Sequence, residues 1–166
     1  MNKLKLIFLF TFCYFVTIDY CNSQTVEKKN TLPIKYIKTN LMSVKGYTLD
    51  ILKAMPEETY NYVPTEGMRT FEAQAYHIYY SLDYYIRWFD NERPKWEPGD
   101  ENSLDKNKLI KLVTEKFDEI IKLVEEPKYT NTILPKLISL FDHNSHHRGQ
   151  LIVYLRMNKI KPPAYR

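Results

Sequence analysis

Proline placement constrains this chain more than any other feature. The nine prolines fall at 33, 56, 64, 94, 98, 127, 135, 162 and 163. A proline ring clashes with the preceding turn and removes a hydrogen-bond donor, so it is excluded from helix interiors. Four long proline-free stretches remain: 34–55, 65–93, 99–126 and 136–161. Apolar residues recur within them at steps of three and four, the period of an amphipathic helix. Ile37, Leu41, Val44, Thr48, Ile51 and Met55 form the first stripe. Phe71, Ala75, Ile78, Leu82, Tyr85 and Phe89 form the second, and Leu109, Val113, Phe117, Ile120 and Val124 the third. In the fourth, Leu137, Leu140, Leu151 and Tyr154 carry a stripe that His143 and His147 interrupt. Strict alternation is nowhere sustained. Thr70 and either Ser103 or Asp105 are placed to cap the second and third helices, and Asn158 with Pro162–Pro163 to end the fourth. The expected fold is all-α, a four-helix bundle, with a polar connection over residues 90–101 that is longer than bundle loops usually are.

The first 23 residues read as a secretory signal peptide. Lys3 and Lys5 precede an apolar run from Leu6 to Ile18 that is too short to span a membrane. Cleavage after Ser23 leaves a flexible leader at 24–36 and a domain at 37–166. The expected location is exported, periplasmic or secreted, with no membrane span after signal removal; lipidation at Cys21 is the lesser option, because Asp19 and Tyr20 suit it poorly. Both cysteines, Cys13 and Cys21, precede the cut. The domain therefore has no thiol for catalysis, redox chemistry or metal binding. The chain's net charge of +4 is too small for an electrostatic nucleic-acid binder, and 44% hydrophobic residues exclude a disordered polyelectrolyte.

Chemistry concentrates in the four histidines. His77 lies in the second helical stretch; His143, His146 and His147 lie in the fourth. Residues four apart share a helix face, so His143 and His147 can grip one ion. The stripe turns His147 inward and His146 onto a polar strip with Asp142 and Gln150, which favours the 143/147 pair over 143/146. A third ligand from another helix would complete a three-histidine site with open positions. Asp142, Gln150 or a backbone carbonyl could orient the rings. The blander alternative is a solvated His-rich face and a hydrogen-bonded His77. Tyr84 and Trp88 share a face with His77 and could wall a pocket, although bulky aromatics more often serve the core. Arg148 and Arg156 could hold an anionic substrate, or simply pair with carboxylates and solvent. No Gly-rich phosphate loop, His-Glu-x-x-His or Gly-x-Ser-x-Gly motif is present.

The segment His143-Asn144-Ser145-His146-His147-Arg148-Gly149-Gln150-Leu151, with Val153-Tyr154-Leu155-Arg156 and Ile160-Lys161-Pro162-Pro163, resembles the C-terminal signature of the DinB-like family. Met55-Pro56-Glu57-Glu58, Tyr60, Tyr62, Pro64 and Thr65 resemble its junction between helices 1 and 2; Arg69, Phe71, Gln74 and His77-Ile78 resemble the start of its second helix. The resemblance covers residues 37–166. It implies a four-helix bundle of up-up-down-down type and a divalent metal held by His77, His143 and His147. Gln74 joins Tyr84, Trp88, Asp142 and Gln150 as a residue expected beside the site. Zn, Ni, Mn and Fe are not distinguished. The wider superfamily includes thiol-dependent S-transferases and a maleylpyruvate isomerase, and dimers occur in it. An exported chain would not meet a cytosolic thiol pool. The expected function is a metal-dependent hydrolase or transferase of a small, unidentified substrate, with a homodimer as one option. The rivals are a non-catalytic, metal-stabilised bundle and a helical interaction module.

Overall fold

A computed structural model describes residues 34–90, 93–127 and 133–165. The proposed signal peptide and most of the leader lie outside the described residues. Four helices form: α1 Ile34–Ala54, α2 Phe71–Asp90, α3 Lys106–Leu123 and α4 Leu134–Met157, with a short 3-10 turn at Glu57–Thr59 after α1. This is the all-α four-helix bundle that the proline windows allow. α1 begins three residues before the expected domain start.

Local chemistry sets the ends. The Thr70 hydroxyl accepts from the Ala73 amide at 2.9 Å and the Asp105 carboxylate from the Lys108 amide at 2.8 Å, each satisfying a free donor of a first turn. Pro135 sits in the first turn of α4, where its missing donor costs nothing. That helix stops where Asn158 caps it and Lys159 takes a left-handed φ of 60°.

The expected stripes meet in the interior. Phe71, Ile78, Leu82, Leu109, Val113, Phe117, Leu137, Leu140 and Leu151 are all buried; Val44 is half-buried. α2 packs against both α3 and α4, and α1 against α3 and, over a shorter contact, α4. Among the described residues no helix is long and apolar enough to cross a membrane.

Contacts give the helix directions. Lys38 and Lys45 of α1 pair with Glu125 and Asp118 respectively, so α1 and α3 are antiparallel. Ser81 meets Asn144, and Lys136 donates to the Trp88 carbonyl at 2.5 Å, so α2 and α4 are antiparallel. The Thr70 hydroxyl donates to Asn102 at 3.0 Å, just before α3 begins, and Asp83 pairs with Lys116 farther along; α2 and α3 therefore run parallel. The sense is up-down-down-up, which corrects the up-up-down-down order implied by the resemblance. The physical cause is the connection before α3. From Arg93 onward it runs back along α2. The Arg93 guanidinium donates to the Tyr84 hydroxyl, the Glu97 amide to the Tyr80 hydroxyl and the Tyr76 hydroxyl to the Pro98 carbonyl, at 2.9, 2.8 and 2.7 Å.

Candidate metal centre

The antiparallel α2–α4 pair brings His77 opposite His143 and His147. One ring nitrogen from each lies within 4.8 Å of the other two. Ring centroids are 4.3 Å apart for His77–His147, 4.5 Å for His143–His147 and 5.2 Å for His77–His143. His77 and His147 are 7% and 8% exposed. His146 points elsewhere: its Nε2 lies 3.2 Å from the Gln150 amide nitrogen, on the polar strip expected from the sequence.

Neighbouring groups engage one nitrogen on two of the rings. His77 Nδ1 lies 3.2 Å from the Glu101 carboxylate, which also accepts from Arg69 at 2.6 Å. His147 Nδ1 lies 3.0 Å from the Gln150 carbonyl oxygen and beside the Gln74 amide, which also bonds Gln150. These contacts leave the Nε2 atoms of His77 and His147 for another partner. His143 Nε2 is buried and has no hydrogen-bond partner. Buried polar atoms are rarely left so, and each instance asks for an explanation.

Electrostatics keeps the cluster neutral. Burial lowers the pKa of His77, with Glu101 opposing, and pushes His143 and His147 down to about 4, helped by their crowding with His77. Burial alone would raise the Glu101 carboxyl, but hydrogen bonds from Arg69 and His77 outweigh it and hold its pKa below the usual range. Neutral imidazole is the form that ligates a metal. Three convergent neutral imidazoles are consistent with a divalent-metal site. Nitrogen donors of this kind do not choose among Zn, Ni, Fe and other first-row ions by themselves.

Matched to the sequence expectations, Gln74 and Gln150 do touch the cluster, and Tyr84 stands one ring away from it. Trp88 and Asp142 do not join it. Trp88 lies a turn farther along α2, against Tyr84 and Tyr85 and under Lys136 and Arg93. Asp142 is exposed and lines a different cleft. Two residues went unforeseen. Glu101 is one; Trp96 is the other, its ring 5.1 Å from His77, 5.8 Å from His143 and 5.0 Å from Tyr84. Both belong to the returning connection, where no periodicity marks an inward face. The only available signals were a tryptophan and a carboxylate in a segment otherwise suited to solvent.

Residues 28–165 match the DinB family, which spans most of the chain and both halves of the histidine cluster. The chain belongs to the DinB family. The uncharacterized protein YjoA of Bacillus subtilis (strain 168) is 26% identical over 146 residues, covering 78% of this chain and 94% of that protein. The DinB match extends over α1 to α4 and the connection that carries Trp96 and Glu101.

Proposed function

We propose that this DinB-family chain binds one divalent ion through His77, His143 and His147 and acts on a small substrate as a metal-dependent hydrolase or transferase. The observation that carries this reading is the convergence of one ring nitrogen from each histidine within 4.8 Å, with His143 Nε2 buried and unpartnered and the Nδ1 atoms of the other two rings already engaged. Three protein donors leave coordination positions for water or substrate, as in catalytic rather than closed structural sites. A bound divalent ion would supply Lewis-acid polarisation and a water ionised near neutral pH. The chain's own groups do the rest. Glu101 accepts the Nδ1 proton of His77 and fixes that ring; at His147 the Gln150 carbonyl oxygen would accept the Nδ1 proton, and the Gln74 amide, which donates to Gln150, lies against the same nitrogen. Trp96, at 37% exposed, and Tyr84 wall the site from solvent and offer an aromatic surface to a substrate. The apolar run at Leu6–Ile18 after Lys3 and Lys5 supports export, and an exported chain favours hydrolysis over transfer to a cytosolic thiol.

A second reading has its own support. His77 and His147 are almost fully buried between two helices, so the ion could serve chiefly to tie α2 to α4. Elemental mass spectrometry of the purified protein separates these readings from a metal-free bundle. We expect about one ion per chain, lost in His77→Ala, His143→Ala and His147→Ala and retained in His146→Ala. Water exchange at the loaded site, read by relaxation with Mn or Co, then favours the enzyme; a closed shell favours the tie. A wild type that takes up no ion from Zn, Ni, Mn or Fe overturns both.

A further inference from the structure

Arg148 follows directly after His147 but is turned about 100° around α4, away from the histidine cluster. It is 7% exposed, and its Nη1 has no hydrogen-bond partner. Among the described residues no carboxylate pairs with it. A buried guanidinium without a counter-charge is costly, and it cannot shed the cost by losing a proton at ordinary pH. Its neighbours one turn away along α4, Asn144, Ser145, Leu151 and Ile152, carry no charge. The side chain does, however, line a cleft of about 330 Å³ between α1 and α4, the helix pair with the shorter contact.

The cleft has the character of a ligand site. Asn40 and Ser145 bring an amide and a hydroxyl to the same walls as Arg148. Phe141 and Tyr165 give it apolar faces, and Tyr165 is seated edge-on against Tyr47 with ring centroids 5.3 Å apart. Asp142 also lines it, exposed to solvent and forming no ion pair with Arg148. A planar guanidinium fork matches two oxygens of one oxyanion. The exposed carboxylate at Asp142 opposes any anion and a dianion most, and the Phe141 ring, with the largely exposed Tyr165, suits an apolar body.

We propose that the α1–α4 cleft is a second binding site, separate from the histidine cluster, for a small monocarboxylate whose anionic end pairs with Arg148. The site does not depend on metal being bound.

Benzoate, acetate and inorganic phosphate serve as probes on the full chain, followed by the Arg148 Nε–H resonance in NMR and by melting temperature. We expect a saturable benzoate shift, weaker acetate binding and weaker phosphate binding still. Arg148→Met should weaken benzoate at least tenfold while melting at or above wild type without ligand, which shows that the variant folds. His77→Ala should bind benzoate as wild type does, which separates this cleft from any carboxylate bound to metal. A non-saturating response, or one that persists unchanged in Arg148→Met, overturns the site. Phosphate binding more tightly than benzoate overturns the monocarboxylate assignment, and loss of benzoate binding in His77→Ala moves the ligand to the histidine cluster.

Discussion

At the scale of single residues, the histidine cluster couples proton binding to stability. His143 and His147 titrate near 4 in the folded chain and near their ordinary 6.5 when unfolded, because burial penalises the imidazolium. Between those values the unfolded chain binds more protons, so acid favours it. The stability held by these neutral rings is therefore complete above about pH 6.5 and is lost as pH falls toward about 4. In metal-free protein, urea unfolding across this window should show the folding equilibrium constant falling on the order of a hundredfold for each of the two rings. His143→Gln and His147→Gln should each flatten the slope. A wild-type curve that stays level over the window would mean that the rings are solvated and not held as a buried cluster. The histidine pair itself was legible, because i and i+4 spacing on a helix fixes which side chains share a face. Glu101 and Trp96 were not, because an irregular segment has no such rule: its inward residues are chosen by what it happens to cross.

At the scale of elements, the helices are secured unequally. α3 begins with a carboxylate cap, Asp105, whereas Ile133 gives α4 no side-chain cap and Pro135 alone starts it. Replacing Asp105 by Ala should cost about 1 kcal/mol, read as a lower urea midpoint with an unchanged slope; no change would mean that water or Ser103 substitutes for the cap. α4 is held from the side instead. Its inward face carries Asn144, which exchanges hydrogen bonds with Ser81 and donates to the Leu140 carbonyl, and His147, held by Gln150 and Gln74. This explains why helix positions were readable from proline and apolar spacing while helix directions were not. Periodicity says which face of a helix is buried but not which way the next helix runs. That depended on the route of the connection before α3, pinned by the hydroxyls of Tyr76, Tyr80 and Tyr84.

At the scale of the whole molecule, an ion bridging α2 and α4 would bind only the folded state. At a hundredfold excess over its Kd it should add about 2.7 kcal/mol, so that chelation lowers the melting temperature by on the order of 10 °C. Equal melting with and without chelator would remove the ion from the folding balance. The antiparallel α2–α4 pairing has another consequence, for the order of events as the chain is made. The contacts that build the histidine cluster join residues far apart in sequence: His77 with His143 and His147, Ser81 with Asn144, and the Tyr154 hydroxyl with the Arg69 carbonyl. Synthesis delivers α1, α2 and α3 first. Until α4 leaves the ribosome, the face of α2 carrying Phe71, Ile78 and Leu82 lacks one of its two packing partners, and two of the three imidazoles do not yet exist beside it. Loop-closure entropy for that last pairing is met only when the final helix docks. Under the proposed function, metal capture would be a late event that marks a finished chain, and a product truncated before residue 143 would combine an uncovered aromatic helix with no means of holding an ion.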